Sequence, residues 1–230
     1  AVDHVQAHVM AHFIRDGAGR PEPAFPFLNL TASGGHTRLV LVRSPLEREV
    51  LDNTLDDAAG EAFDKGAKVL GLPYPGGPLV DFHAKSGDRS RFALPKPAVP
   101  GLDMSFSGIK AAFAALVRKG EAQEPGFATA HLADLCASLQ GAIIDHLLAK
   151  VRRALRENGI DRVGVAGGVA ANSGLRERLL ALGEAEGVEV HIPPFAYCTD
   201  NGAMIAMAGK HLLEAGRFAG RDTVPLPRTH

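Results

Sequence analysis

The stretch from Arg162 to Ile192 constrains the fold of this chain more than any other. Arg162–Ala166 is a short valine-rich run that reads as a strand. Gly167-Gly168 then turn the chain, Leu175–Leu182 has helical spacing, and Val188–Ile192 reads as another strand. A strand, glycine turn, helix and strand in succession need a sheet with helices layered on it, which places the chain in the α/β class. The remainder fits. Residues 3–15 have their apolar positions on one helical face, closed by Gly17, Gly19, Pro21 and Pro23. Phe25–Leu30 and Thr37–Val42 read as strands around a tight Ser33-Gly34-Gly35 turn. Helices are expected over Asp56–Leu70, Ile109–Arg118, Ala130–Arg156 (one or two) and from about Asn201 to Leu213. Gly71–Gly77 reads as a rigid Pro/Gly loop, and the Pro-rich stretch from Lys85 to Pro100 is expected to cross the surface.

Composition sets limits. A length of 230 residues allows one large domain or two small lobes. No apolar run is expected to reach the 18 or more residues of a membrane span. The first residues show neither the basic region nor the apolar core of a secretory signal. Two cysteines, Cys136 and Cys198, fit a reducing cytosol better than a disulfide scaffold, and both read as small buried hydrophobes. The net charge of −1 excludes a domain that grips nucleic acid through overall positive charge. Any RNA contact would need a local patch, and Lys150, Arg152, Arg153 and Arg156, with Arg118 and Lys119, form the best candidate stripe. The alternative for that stripe is a solvated helix face.

Three constellations could carry chemistry. His4, His8 and His12 recur every four residues, so neighbouring pairs share a helix face and could share a metal, or could be incidental members of a polar stripe. The zinc-peptidase pattern H-E-x-x-H is excluded, because Val5 stands where its glutamate should be. Asp57, Glu61 and Asp64 share another face with Asp56 beside them, and such like charges need compensation from Lys65, Lys68, the helix dipole or a ligand. Three small turns could cradle an anion: Ser33–Thr37, Ser105–Gly108 and Gly167–Asn172. Neither the dinucleotide fingerprint nor the P-loop motif occurs. Asp200 is either the N-cap of the last helix, with Asn201 as the alternative, or the carboxylate of a two-histidine, one-carboxylate metal site. Such a site can also serve an iron oxygenase, a reading that leaves the glycine turns unexplained.

Together these blocks resemble one family, the tRNA N6-adenosine threonylcarbamoyltransferases, formerly called glycoproteases. The matching segments are HVQAH (4–8), SGGHT (33–37), DDAAGEAFDKGAKVLGLPYPGGP (56–78), SFSGIK (105–110), GGVAAN (167–172) and CTDNGAMIA (198–206). The resemblance implies a two-lobed actin/sugar-kinase-like fold with ribonuclease H-like lobes. Residues 1–24 would be a remnant of the first lobe, 25–195 the second lobe, and 196–230 a return toward the first. It implies transfer of a threonylcarbamoyl group from threonylcarbamoyl-adenylate to the exocyclic amine of the adenosine beside the anticodon, in tRNAs reading codons that begin with A. It implies His4, His8 and Asp200 as ligands of one divalent metal, with iron favoured and zinc the alternative. Thr31, Ala32, Ser33, Gly34 and Gly35 would hold the acyl-adenylate, and Asp64, Gly77, Asp81 and Asn172 would contact its nucleotide part. It further implies a cytoplasmic protein acting with a paralogous actin-like subunit and a small ATPase. Family members carry roughly a hundred more residues before the histidine helix. The rival expectations are a non-catalytic actin-like subunit of the same complex and a metalloprotease, the latter weakened by the missing glutamate.

Overall fold

The structure is a computed structural model that describes residues 1–17, 19–52, 54–220 and 222–224. Part of the expected terminal segment 196–230 therefore lies outside the described residues. Among the described residues five strands form one sheet: β1 (Phe27–Ala32), β2 (Thr37–Ser44), β3 (Glu47–Val50), β4 (Arg162–Ala166) and β5 (Glu189–His191), in the order β3-β2-β1-β4-β5. β1, β2 and β3 form an antiparallel meander, whereas β4 and β5 run parallel to β1 and to each other. The helix between β4 and β5, α7 (Ser173–Glu186), supplies the crossover that a parallel pair requires.

Every residue of β1 is buried, so the sheet is covered on both faces at its centre, whereas the edge strand β3 is exposed throughout. Leu28, Leu30 and Ala32 enter the larger core, built with α2 (Ala59–Val69), α3 (Gly76–Ala84), α4 (Ser107–Gln123), α6 (Leu132–Asn158) and α7. Phe27, with Val40 and Val42 of β2, enters a second core formed by α1 (His4–Met10), the 3-10 turn Ala11–Phe13 and α8 (Gly202–Glu214). α1 and α8 thus pack together as one layer. A single-turn helix, α5 (Phe127–Ala130), leads into α6.

Four expectations need correction. Gly76 and Gly77, expected in a loop, open α3, a helix the Pro/Gly composition concealed. Among the described residues one helix, α6, is long and apolar enough to cross a membrane by length and composition; most of it is buried within the protein as the central core helix. The strand β3 extends the meander beyond the expected pair.

The basic stripe is a solvated helix face only in part: Arg118, Lys119, Arg152, Arg153 and Arg156 are exposed, whereas Lys150 is buried. Buried Lys150 donates to the carbonyls of Val99 and Gly101, at 2.8 and 2.9 Å. Arg152 and Arg156 pair with Glu186, and Arg153 with Glu157. These cations fasten the Pro-rich segment and the end of α7 onto α6. Cys136 and Cys198 are both buried free thiols, and burial raises the pKa of each, that of Cys136 to about 12.

Candidate metal centre and the turns around it

α1 begins at Asp3, whose carboxylate accepts the Gln6 amide at 2.7 Å and pairs with Arg48 at 2.9 Å. This cap orients the first turn and puts His4 and His8 one above the other, with ring centroids 4.8 Å apart. Asp200 comes from the other end of the chain. It is not the cap of α8; Asn201 is, accepting the Met204 amide at 2.9 Å. The Asp200 carboxylate is left to face the histidines, with Oδ1 3.3 Å from His4 Nε2 and 3.2 Å from His8 Nε2. One ligand atom from each of the three lies within 4.8 Å of the others.

The residues fit a metal. The His8 side chain is 2% exposed, and neither of its ring nitrogens has a hydrogen-bond partner among the described residues. The 3.2 Å approach to Asp200 is a proximity without hydrogen-bond alignment. An imidazole buried with both nitrogens unpaired is costly unless one of them has a ligand role. Burial, and then the field of His4, push the His8 pKa down, against the pull of Asp200. The ring is thereby kept in the neutral form that ligates metals. Two histidines and a carboxylate with one side exposed would leave a bound metal with open coordination positions.

The turn from Ser33 to Thr37 closes on itself beside this centre. The Ser33 amide donates to the His36 carbonyl at 2.7 Å, and the His36 amide to Ser33 Oγ at 3.1 Å. The field of His36 reaches His8. Two glycines let neighbouring elements close on this strand end. A β carbon on Gly60 would lie 2.4 Å from the Ser33 carbonyl oxygen, and one on Gly167, which has φ +87°, 2.4 Å from that of Ala32. The first lets the start of α2 dock on the turn, where the Gly60 amide donates to Ser33 O and the Ala59 amide to Thr37 Oγ1. The second brings the β4 turn against β1. Gly168 lies beside the Thr199 methyl group, so this turn also borders the loop carrying Asp200.

A second group of expected residues converges on α3. Asp64 Oδ1 accepts the amides of Gly76 and Gly77 at 2.8 and 3.2 Å. One turn along α3, Asp81 accepts both the amide and the hydroxyl of Ser173 at the start of α7. The Asn172 side chain is buried and committed to the protein itself: it caps α7 through Leu175 and donates to Gln140 at 2.7 Å. The third expected anion turn, at Ser105, is filled from within. Asp56 accepts from Ser105 Oγ, Ser107 Oγ and the amides of Phe106 and Ser107, capping α4. Of the remaining acidic cluster, Asp57 and Glu61 share Lys65, and Asp57 also binds Lys110. Ser173 and Gln140 were not singled out from the sequence; an Asn-Ser pair opening a helix is a capping signal that points to Ser173, whereas nothing local marks Gln140.

Residues 1–207 match the family profile described as TsaD: tRNA N6-adenosine threonylcarbamoyltransferase. The chain belongs to this threonylcarbamoyltransferase family. Curated threonylcarbamoyltransferases similar to it include one from Cytophaga hutchinsonii, 53% identical over 227 residues, covering 99% of this chain and 65% of the relative. Another, from Porphyromonas gingivalis, is 48% identical over 228 residues, covering 99% and 67%. The chain thus spans about two thirds of the length of the threonylcarbamoyltransferases it matches. Among solved structures, full-length HypF in a phosphate- and nucleotide-bound form superposes with a TM-score of 0.71 at 13% identity, over 95% of this chain and 44% of that one. Component A of the Acidaminococcus fermentans (R)-2-hydroxyglutaryl-CoA dehydratase gives 0.52 at 16% identity, over 90% and 68%. At such low identity these likenesses show the fold alone: α/β, of the actin/sugar-kinase type.

Proposed function

We propose that this chain carries the reaction centre of a tRNA threonylcarbamoyltransferase. The group transferred is threonylcarbamoyl, the donor threonylcarbamoyl-adenylate, and the acceptor the exocyclic amine of the adenosine next to the anticodon in tRNAs reading codons that begin with A. The observation that carries this reading is the family match over residues 1–207, which includes His4, His8 and Asp200 as one cluster.

In this reading a bond forms between the adenosine amine and the carbamoyl carbon, and the bond from that carbon to the adenylate oxygen breaks. His4, His8 and Asp200 hold a divalent metal, iron in preference to zinc. When bound, the metal supplies Lewis-acid polarisation of a carbonyl oxygen. Ser33, Gly34 and Gly35 hold the acyl-adenylate beside it, and the buried pair Thr31 and Ala32 supports that strand end. Gly34 and Gly35 have nothing within 4 Å of the place a side chain would take, so their backbone is open to a ligand. Asp64 fixes the first turn of α3 by binding its amides, which presents Gly77 and Asp81 on one side of that helix. The role of Asn172 is to fix the start of α7 and its backbone beside the nucleotide. Holding donor and acceptor in line accounts for much of the expected acceleration.

The partners proposed are tRNA, a paralogous actin-like subunit and a small ATPase, in the cytoplasm. Residues 1–24 and 196–230 are assigned to the first-lobe side of the site and 25–195 to the second lobe. Calorimetric titration with a stable analogue of threonylcarbamoyl-adenylate, with and without chelator, tests the proposal. Binding that is chelator-sensitive and lost in His8→Ala and Asp200→Ala supports it. A folded, metal-loaded chain that binds no analogue refutes it for this chain.

A further inference from the structure

Beneath the ligand helix runs a chain of polar side chains whose inner two members the proposed reaction does not use. His12 Nε2 lies 3.0 Å from Asn29 Oδ1, and Asn29 Nδ2 donates to Thr31 Oγ1 at 2.9 Å. Asn29 and Thr31 are fully buried. With the amide nitrogen of Asn29 committed to Thr31, its oxygen faces His12, and the His12 Nε2 must carry the proton. The sheet leaves room for this bond. Gly164 of β4 is the cross-strand partner of Asn29, and a β carbon there would lie 2.6 Å from His12 Nε2 and 3.0 Å from Asn29 Oδ1.

This polar bond sits against an apolar layer that includes Met10, Phe13, Phe27, Val40 and Val42. Burying it gains less than apolar packing would, unless the direction of the bond matters. Direction does matter for α1. A helix of seven residues is too short to hold its own shape, so tertiary contacts set its roll and register. At its start Asp3 and Gln6 provide them, through Arg48 and the Pro45 carbonyl. Just past its end the polar contact is His12, four residues after His8, which is four after His4. A slip of one residue would rotate both ligands by about 100° away from Asp200.

We propose that the His12–Asn29 bond is a positioning contact that fixes the register of α1 on β1 and so presents His4 and His8 to Asp200 in ligand geometry. It rests on the metal reading of that trio. The test uses His12→Leu, Asn29→Leu, His12→Gln and, as a control in the same core, Val40→Ala. Zn(II) affinity is read by competition with a chromogenic chelator, and α1 amide hydrogen exchange in the metal-free protein. His12→Leu and Asn29→Leu are expected to weaken Zn(II) binding by roughly tenfold to a hundredfold, the usual effect of removing an orienting partner. His12→Gln, whose amide can still donate to Asn29, should recover most of the loss. Val40→Ala should lower the melting temperature and leave the affinity unchanged. Unaltered affinity in folded His12→Leu, or an equal loss in Val40→Ala, overturns the proposal. If the unmodified chain binds no Zn(II), the metal reading fails on its own. Exchange then decides the register claim, and α1 amides no faster in His12→Leu than in the parent would overturn that as well.

Discussion

Replacing Gly60 with alanine separates the two uses of glycine around the Ser33 turn. The added carbon would meet three backbone atoms, Ser33 O at 2.4 Å, Ser33 C at 2.7 Å and Gly34 Cα at 2.8 Å, none of which can rotate aside. The start of α2 must therefore retreat, stretching or breaking the 3.1 Å bond from the Gly60 amide to Ser33 O. Losing that bond costs about 1 kcal/mol. Overpacking adds about 1–3 kcal/mol, and the better helix propensity of alanine returns about 1 kcal/mol. The balance is a destabilisation of about 2 kcal/mol, or a fall in melting temperature of about 4–8 °C for a chain of this size. Gly34→Ala and Gly35→Ala are the contrast, because a β carbon at either position meets nothing within 4 Å. Their stability should stay within about 0.5 kcal/mol of the parent, while binding of the adenylate analogue falls. Calorimetric melting with parallel ligand titration reads both effects. A Gly60→Ala protein as stable as the parent would refute the close-approach argument.

Two further outcomes are expected. Burial, then nearby Lys150, hold the His146 pKa down to about 4 against the pull of Asp56, so the unfolded chain binds a proton that the folded one refuses. Its contribution is complete above about pH 6.5, declines as pH falls, and amounts to a loss of about 3 kcal/mol below pH 4. His146→Gln, which can still accept from the Ser105 amide, should flatten urea-denaturation stability between pH 6.5 and 4 relative to the parent; parallel curves would refute this. The comparison must be made as a difference, because buried Asp52, raised to about 6, acts with the opposite sign in an overlapping window. Asp56→Ala removes an acceptor of four hydrogen bonds at the start of α4 and should cost about 2–3 kcal/mol in urea denaturation. Asp56→Asn, which keeps an acceptor oxygen, should cost less.

The alternation of valine-rich runs, glycine turns and amphipathic segments made the sheet legible, because those signals are local and periodic. The β4–α7–β5 unit falls close to where its residues place it. The four-residue spacing of His4 and His8 was equally readable, since a helix converts spacing into a shared face. The pairing with Asp200 was expected on the strength of resemblance; distance along the chain carries no geometric signal for it. α3 was hidden because Pro75, Gly76, Gly77 and Pro78 have poor intrinsic propensity, and contacts with α2 and α6 override it. The fate of the basic stripe was illegible for a related reason: apart from Glu157, its partners Val99, Gly101 and Glu186 are 30 to 52 residues away. His12 looked like a helix-face residue because its true neighbour, Asn29, lies on a strand across the layer.

The carboxylates of Asp56 and Asp81 act by subtraction. Each already occupies amide and hydroxyl donors at the start of a helix, α4 and α7 respectively, where an incoming phosphate would otherwise bind. A phosphate brought to either helix end would meet negative charge instead of open donors, whereas a sugar hydroxyl can donate to the same oxygens. The open, uncharged backbone of Gly34 and Gly35 is where no such charge has been installed. Under the proposed function, an adenylate would therefore be sorted end from end, its hydroxyl-bearing portion tolerated over α3 and α7 and its anionic portion left to the glycine turn.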